Sequence, residues 1–277
     1  MKSVSFTLNL RGRLVYFDRP AVMAVINATP DSFYAGARNA DPAAIERALA
    51  EGADMLDLGA YSSRPGAPDV SVDEEWTRLS ACLAATRRLD PDIPVSVDTF
   101  RAEIARRALE EGADIINDIS SGTLDPAMFP LIGRTRAPYI AMHMRGTPAT
   151  MQQLTDYGPQ GGVAAAVIAF LAEKIAELEA LGAGDIIVDP GFGFAKTAEQ
   201  NYELLRALPL VGTTLGRPLL AGLSRKSMFW RPMGLTPADV LPATCAANMA
   251  ALSAGAAILR VHDVAAAVQV RQVALSL

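Results

Sequence analysis

The stretch GDIIVDPGFGFAKT (184–197) joins a short apolar run to an acidic residue and a loop rich in glycine and proline. The apolar run at 186–188 is too short for a helix and predicts a strand. Asp189 stands where that strand ends, and the segment 190–193 excludes a regular element and lets a ligand approach the backbone. Parallel α/β proteins build sites in this way, at the C-terminal ends of strands. For this stretch taken alone, a strand followed by an ordinary structural turn is the alternative.

The same design recurs along the chain. Apolar strands are predicted at eight places, each followed by a segment with helical periodicity. The strands with their loops are AVMAVI (21–26), DMLDLGA (54–60), PVSVDTF (94–100), DIINDIS (114–120), APYIAMHMRGTP (137–148), the opening stretch, RPLLAGLSRKS (217–227) and AAILRVHDV (256–264). The predicted helices lie at 42–52, 72–89, 102–112, 125–135, 164–182, 198–208, 237–255 and 265–277.

Strands that are apolar throughout predict a parallel sheet that is buried on both faces. Eight is the number of strands that closes a TIM barrel, so we predict an α/β protein with a single (β/α)8 domain over 21–277. An open doubly wound sheet is the alternative, but no G-x-G-x-x-G follows an early strand to support it.

An N-terminal β-hairpin is predicted before the barrel. Apolar residues alternate from Val4 to Leu10, residues 11–13 form the turn, and LVYF (14–17) returns. Because a two-stranded ribbon is not stable alone, we expect residues 1–20 to cover the bottom of the barrel.

The composition limits the possible partners. Half of the chain is apolar, which allows a sizeable core, and the formal net charge is −5 without basic clusters. This charge argues against nucleic acid or an anionic membrane as a partner and leaves small molecules. The longest apolar segment, 163–172, is too short to span a bilayer, and the N-terminus lacks a signal-type run. Cys82 and Cys245 share no metal or redox spacing, so we expect reduced thiols in a cytoplasmic protein.

Polar residues stand at the C-terminal ends of nearly all the predicted strands. In a barrel these ends face one crater. They are Asn27, Ser62, Ser63 and Arg64, Asp98, Asn117, His143 and Arg145, Asp189, Ser224, Arg225 and Lys226, and Arg260, His262 and Asp263. One polar residue at a strand end commonly has a structural role, but the recurrence in register predicts a functional site.

The acids and the amide suit a flat heterocycle with an N–H edge. Asp98, Asn117 and Asp189 offer acceptors, and a carboxylate can accept two parallel hydrogen bonds from an amidine-like group. Met142 and Met144 are expected to form apolar walls for such a ligand rather than to bind a soft metal.

The cationic side chains suit phosphate oxygens or an aryl carboxylate. They are Arg64, Lys226, Arg260 and His262. Asn27 adds a neutral oxygen that can coordinate a hard divalent cation bound to phosphates. Lys226 also admits Schiff-base chemistry, but the serine and arginine neighbours at 224–227 favour an anion-binding turn. His143 is expected to be a hydrogen-bonded wall residue.

Eight ordered motifs resemble the dihydropteroate synthases, a family of pterin-binding TIM barrels, over nearly the whole chain from about Ala21 to Val264. They are NATPDSF (27–33), SSRPGA (62–67), SVDTF (96–100), NDIS (117–120), MHMRGTP (142–148), DPGFGF (189–194), SRKS (224–227) and RVHDV (260–264). The resemblance implies a transferase of folate biosynthesis with Mg²⁺ as its cofactor. The implied reaction condenses 6-hydroxymethyl-7,8-dihydropterin diphosphate with 4-aminobenzoate and releases diphosphate by a metal-assisted dissociative displacement.

The resemblance also implies roles for individual residues. The pterin is expected at Asp98, Asn117, Asp189 and Lys226, bordered by Met142, Phe194 and Gly222. The metal is expected at Asn27, and the diphosphate at Ser63, Arg64, Arg260 and His262. The aminobenzoate is expected at Phe33, Pro65 and Ser227, and the expected catalytic residues are Asp98, Lys226, Arg260 and His262. The sequence leaves open whether Phe192 or Phe194 lines the pocket, and it assigns no role to Lys196.

Two loops depart from the usual pattern of the family. AYSSRPG (60–66) stands where members commonly carry Glu-Ser-Thr before Arg-Pro-Gly, and YAGARNA (34–40) replaces the frequent serine–aspartate–glycine. Both changes lie in the expected aminobenzoate region, so the resemblance does not extend to sulfonamide sensitivity. The loops at 28–40 and 60–70 are long for βα connections, and we hypothesise that they close over the substrates.

Two other functions fit a pterin barrel. A methyltetrahydrofolate-binding barrel of a corrinoid methyltransferase would share the acid and amide pocket, but it would not need the diphosphate cluster that SRKS and RVHDV provide. A non-catalytic pterin-binding barrel is the third possibility, although nothing at the motif positions is deleted. The Ala-rich helices at 243–254 and 265–277 are expected to form the face of a homodimer.

Overall fold

The structure, a computed structural model, contains a two-stranded and an eight-stranded sheet within the residues it describes, 4–28, 42–61 and 70–277. The first sheet consists of β1 (Phe6–Leu10) and β2 (Arg13–Phe17). The second consists of β3 (Ala21–Asn27), β4 (Met55–Gly59), β5 (Val95–Asp98), β6 (Ile115–Asp118), β7 (Tyr139–Met142), β8 (Ile186–Asp189), β9 (Leu220–Ala221) and β10 (Ile258–Val261).

The eight-stranded sheet closes on itself. Its paired strands are parallel and follow the order β8-β7-β6-β5-β4-β3-β10-β9. The two ends meet where the Val188 N–H donates to the Pro218 carbonyl oxygen at 3.0 Å and Val188 forms a parallel bridge with Leu219. The (β/α)8 barrel predicted from the strand pattern is therefore confirmed.

Helices cover the outside of the barrel. In the described part of the chain they are α1 (Pro42–Ala50), α2 (Val72–Leu89), α3 (Ala102–Glu110), α4 (Met128–Thr135), α5 (Val163–Ala180), α6 (Ala198–Leu215), α7 (Ser227–Met233), α8 (Leu241–Ser253) and α9 (Val264–Ser276). Two single-turn 3₁₀-helices, Met151–Gln153 and Gly158–Gln160, lie between β7 and α5. Each barrel strand is thus followed by a helix, and none of the described helices has the length and apolarity to cross a membrane.

Alternate residues of each barrel strand face opposite ways, which decides where polar groups stand. In β8, Ile186 and Val188 pack in the large core that the barrel shares with the helices, whereas Ile187 joins a smaller cluster inside the barrel bottom. Asp189 lies two residues after Ile187, so its side chain also faces the inside of the barrel, but nearer to the top. In β8 the inward positions are therefore apolar at the bottom of the barrel and polar at its top.

β1 and β2 form the predicted hairpin. Arg11 (φ 50°) and Gly12 (φ 83°) make its two-residue turn, both in the left-handed region that a type I′ turn requires. Leu8, at the centre of β1, is buried with the lowest inward side chains of the barrel strands. The division of the chain into a hairpin (1–20) and one barrel domain (21–277) stays a prediction.

Three helical segments differ by four or more residues from the sequence-based prediction. α6 continues through Pro209, although its end was predicted at residue 208. Its start is fixed by a capping box between Thr197 and Gln200, and it stops at Gly216, at φ 61°. A proline removes one hydrogen bond without ending a helix whose flanks are held by packing. α7 lies between the predicted strand and loop at 217–227 and the helix predicted at 237–255, where no helix was predicted, and α8 begins only at Leu241.

Asp114 ties the bottom of the barrel together. It is almost fully buried and accepts hydrogen bonds from the Val95 N–H at 2.8 Å, Arg87 Nη2 at 2.5 Å and Arg11 Nε at 2.6 Å. These donors belong to β5, to the last turn of α2 and to the hairpin turn. One carboxylate therefore joins the hairpin to the barrel.

Asp114→Ala is expected to lower the free energy of unfolding by about 3 kcal/mol, because two guanidinium groups and a buried N–H lose their acceptor. Urea denaturation followed by circular dichroism measures the change. Asp92→Ala is the control, since Asp92 pairs with Arg13 at the surface and its loss should cost less than about 1 kcal/mol. Equal costs for the two variants would contradict this role of Asp114.

Candidate active site

Most of the predicted site residues lie at or just beyond the C-terminal ends of the barrel strands. Those within the described ranges are Asn27, Asp98, Asn117, Met142, Asp189, Phe194, Gly222, Lys226, Ser227, Arg260 and His262. Phe33, Ser63, Arg64 and Pro65 lie outside the described residues, as do most of the two loops expected to close over the substrates. The parallel barrel brings the described set to one rim.

The guanidinium of Arg260 is held between two carboxylates at this rim. Its Nε donates to Asp57 Oδ2 and its Nη2 donates to Asp98 Oδ2, both at 2.6 Å. Burial alone lowers the pKa of Arg260, but the two carboxylates outweigh burial, so the pKa is raised. The cation is therefore fixed in place and in charge by the protein itself.

Asp57 links Arg260 to the amide of Asn117. It is fully buried on β4, and its Oδ2 also accepts a hydrogen bond from Asn117 Nδ2 at 3.0 Å. This bond leaves the carbonyl oxygen of Asn117 as the atom that can accept from a ligand. The sequence pattern does not single out Asp57, because it stands inside an apolar strand rather than at its end. A charge between Leu56 and Leu58 is nevertheless a signal, since a buried charge needs partners.

Asp98 titrates near neutral pH. Burial raises its pKa to about 7, and the neighbouring Arg260 opposes this shift. The side chain is 23% exposed, so a ligand in the crater can reach it. Around neutral pH this carboxyl can therefore either accept or donate a hydrogen bond.

Asp189 and Lys226 add a second set of opposite charges to the rim. Asp189 Oδ1 accepts a hydrogen bond from the Gly191 N–H at 2.8 Å. Burial raises the pKa of Asp189, whereas this hydrogen bond and the nearby cations lower it. Burial lowers the pKa of Lys226 to about 8, and Asp189 opposes the shift. Lys226 is therefore mostly protonated at pH 7, which suits binding better than Schiff-base chemistry.

The loop after Asp189 brings an aromatic face to Lys226. Lys226 Nζ lies 4.6 Å from the centroid of the Phe194 ring. Gly193, at φ +81°, allows this approach, because a Cβ there would lie 3.1 Å from Lys226 Cδ. Phe192 is instead buried in the large core between barrel and helices. Of the two phenylalanines, Phe194 is the one beside the site.

An apolar cluster flanks the rim beyond β7. Its buried members are Ile119, Met142, Met144, Met151 and Ala195, and Phe194 packs on it. His143, between the two methionines, is also buried, and its ring meets Phe170 edge to face at 5.1 Å. Its Nδ1 lies 3.0 Å from Nζ of Lys196. These contacts agree with methionine walls and with a hydrogen-bonded histidine behind them.

The turn at 224–227 forms hydrogen bonds with neighbouring parts of the protein. Arg225 donates from Nε and Nη2 to both oxygens of Asp263 at 2.8 Å, and from Nη1 to two backbone carbonyls. Ser224 Oγ lies 3.0 Å from His262 Nδ1 and fixes the orientation of the imidazole. The anion-binding role that the sequence suggests for Ser224 and Arg225 stays a prediction, and the structure shows that both side chains also bind the protein. Lys226 keeps its place at the site.

Asn27 ends β3 beside β10, the strand that leads to Arg260 and His262. Within 4–28, 42–61 and 70–277, no cluster of three or more His, Cys, Asp or Glu side chains forms a metal cage. A single neutral oxygen still fits Mg²⁺, which keeps several waters and fills other positions with phosphate oxygens. Asn27 therefore fits a magnesium ion that arrives with a diphosphate.

Comparisons with known proteins agree with this geometry. The family described as pterin binding enzymes matches residues 23–262. The dihydropteroate synthase of Synechocystis sp. is 44% identical over 263 residues, which cover 92% of this chain and 89% of the relative.

Two solved structures are similar over nearly their whole length. Dihydropteroate synthase from Xanthomonas albilineans, solved with 4-aminobenzoic acid, has a TM-score of 0.88 at 38% identity, covering 98% of this chain and 97% of its own. The enzyme from Burkholderia cenocepacia, complexed with 7,8-dihydropteroate, has a TM-score of 0.86 at 41% identity, covering 98% and 95%.

The barrel, the polar rim and these similarities point to one family. The family match spans all eight barrel strands but for the first two residues of β3. The chain belongs to the dihydropteroate synthases, within the family of pterin binding enzymes.

Proposed function

We propose that the chain condenses 6-hydroxymethyl-7,8-dihydropterin diphosphate with 4-aminobenzoate to give 7,8-dihydropteroate and diphosphate. The observation that carries this proposal is that one rim of the barrel holds two kinds of group. Carboxylates and the amide of Asn117 can bind a heterocycle, and the guanidinium of Arg260, held in place by two carboxylates, can bind an anion. The similar structures bind 4-aminobenzoic acid and 7,8-dihydropteroate, a substrate and the product of this reaction.

The pterin is proposed to present its amidine-like edge to Asp189, which can accept two parallel hydrogen bonds. Gly222 leaves room beside that carboxylate, since a Cβ there would lie 3.8 Å from Asp189 Oδ2. The carbonyl oxygen of Asn117 accepts from a further ring N–H, because its Nδ2 is used by Asp57. The remaining ring contacts are proposed to come from Met142, Phe194 and Lys226.

The departing diphosphate is proposed to lie at Arg260 and His262. Arg260 supplies a positive charge that needs no reorganisation during the reaction. His262, oriented by Ser224, supplies a second donor at the exposed rim. Mg²⁺ bound at Asn27 would neutralise charge that develops on the leaving group. Ser63 and Arg64 are proposed to complete this region.

Asp98 is proposed to stabilise the positive charge that appears when diphosphate leaves. Its carboxylate stands beside the pterin region and is anchored by Arg260 at 2.6 Å. The methylene cation delocalises over the pterin ring, and the weakly nucleophilic amine of 4-aminobenzoate then attacks it. Such a dissociative path requires no covalent protein nucleophile. The aminobenzoate is proposed to bind at Phe33, Pro65 and Ser227, and closure of the two long loops over it stays a prediction.

A homodimer and a cytoplasmic location are also proposed. The two C-terminal helices, α8 and α9, share a groove lined by Cys245, Met249, Ala266, Gln269, Val270 and Val273. Two copies packed through this apolar face would form a symmetric interface. Both cysteines are free thiols, which agrees with a reducing compartment.

With both substrates and Mg²⁺, the purified chain is expected to release diphosphate, and omission of 4-aminobenzoate should reduce release to background. A coupled pyrophosphatase assay with chromatography of the pterin product measures both. EDTA should stop turnover and excess Mg²⁺ should restore it. Pterin binding without diphosphate release would refute the synthase and favour a methyltransferase-type or non-catalytic pterin barrel.

Asp189→Asn is expected to weaken binding of the pterin diphosphate by about tenfold or more, because an amide turns a donor toward the N–H edge of the ligand. Isothermal titration calorimetry measures the dissociation constant. The matched control is Asp185→Asn at the opposite end of β8, where the carboxylate accepts from the Asn9 N–H at 2.8 Å. Equal affinities in Asp189→Asn and Asp185→Asn would rule out the proposed contact.

A further inference from the structure

Lys196 is a buried amine behind the site to which the sequence assigns no role. It lies in the loop between β8 and α6, seven positions after Asp189, and it is 4% exposed. Burial lowers its pKa to about 7, which means that removing the charged amine from water costs free energy. A packed apolar side chain of similar length would avoid that cost.

The ammonium group has three partners, which matches its three N–H donors. Lys196 Nζ donates to the carbonyl oxygens of Gly191 at 2.9 Å and Phe194 at 3.0 Å, and it lies 3.0 Å from His143 Nδ1. Burial and the neighbouring cations lower the pKa of His143 to about 2. The imidazole is therefore neutral, and its Nδ1 accepts the hydrogen bond from Lys196.

These bonds belong to a closed circuit that begins and ends at Asp189. The His143 N–H donates to the Asp189 carbonyl oxygen at 3.0 Å, and the His143 ring accepts from Lys196. Lys196 donates to the Gly191 carbonyl oxygen, and the Gly191 N–H donates to Asp189 Oδ1 at 2.8 Å. Both the backbone and the carboxylate of Asp189 are thus fixed by one ring of hydrogen bonds.

The loop is pressed closely onto the end of β7. A Cβ at Gly191, which has φ +74°, would lie 2.0 Å from the His143 carbonyl oxygen and 3.3 Å from Lys196 Nζ. The same ammonium holds the Phe194 carbonyl, and the Phe194 ring contacts Lys226. A shift of Lys196 would therefore move groups on two sides of the proposed pterin pocket.

We propose that Lys196 is a positioning residue for the pterin pocket: through Gly191, Phe194 and His143 it sets the direction of the Asp189 carboxylate and the height of the Phe194 ring. The inference rests on the proposed function, since it takes the ligand beside Asp189 to be the pterin. Lys196 acts through these groups and does not itself contact the substrate.

Lys196→Met keeps most of the length of the side chain and removes its donors. It is expected to raise the dissociation constant of 6-hydroxymethyl-7,8-dihydropterin diphosphate by about tenfold and to leave the KM for 4-aminobenzoate within about twofold. Arg106→Met is the control, because Arg106 forms exposed ion pairs with Glu103 and Glu110 on α3 and takes no part in the circuit. Pterin affinity within about twofold of wild type in Lys196→Met would overturn the proposal.

A double variant separates positioning from general damage to the fold. Because the part of the effect that acts through Asp189 is already lost, Lys196→Met in the Asp189→Asn background should weaken pterin binding by less than about fourfold, compared with about tenfold in the wild-type background. Additive losses in the double variant would overturn the proposal. Absence of diphosphate release by the wild-type protein would instead refute the proposed function. Failure of the proposal for Lys196 can therefore be distinguished from failure of the proposed function.

If Lys196→Met does not fold, two variants of His143, the hydrogen-bond partner of Lys196, test the proposal instead. His143→Asn places a carbonyl oxygen near the Nδ1 position and should keep pterin affinity within about threefold. His143→Leu removes the acceptor and should weaken binding by about tenfold. Equal pterin affinities in the two His143 variants would overturn the proposal.

Discussion

The ion pairs of Arg260 with Asp57 and Asp98 are the constraint on which the site depends. A guanidinium inside a barrel is tolerated only when carboxylates neutralise it and use its directed donors. The two acids lie on neighbouring strands, β4 and β5, and Arg260 lies on β10, on the other side of β3. Through Asn117 the network reaches β6 as well. One partly buried cation thus fixes the relative positions of the acids, the amide and the proposed phosphate-binding groups.

The barrel makes this arrangement possible because its strands alternate. Inward side chains are apolar at the bottom, where the hairpin packs, and the next inward side chain is polar in β4, β6, β8 and β10, where it is Asp57, Asn117, Asp189 and Arg260. The same burial that stabilises the fold adjusts the chemistry, since it raises the pKa of Asp98 to about 7 and lowers that of Lys226 to about 8. A carboxyl and an amine that titrate near neutrality are the result of desolvation opposed by a few placed charges.

Much of the fold and part of the site could be predicted from sequence, because strand ends are visible in the order of residues. Asp189 follows an apolar run, so its place at the rim could be predicted from local pattern. Asp57 could not, because its role arises from pairing with Arg260, 203 positions away. Lys196 has the same difficulty, since its partner His143 lies on another strand end. The ion pair of Arg225 with Asp263 could not be predicted either, because the position of Arg225 at a strand end suggests an anion as its partner and gives no sign of a carboxylate 38 positions away.

A double-mutant cycle between Arg260 and Asp57 tests the central claim most directly. Arg260→Met, Asp57→Asn and the double variant are compared with wild type by the free energy of unfolding in urea at pH 7. If the two side chains form one coupled buried pair, each single change should cost about 3 kcal/mol, and the double variant should cost less than the sum by more than about 1.5 kcal/mol. Costs that add to within about 0.5 kcal/mol would show that the pair is not coupled and would contradict this account.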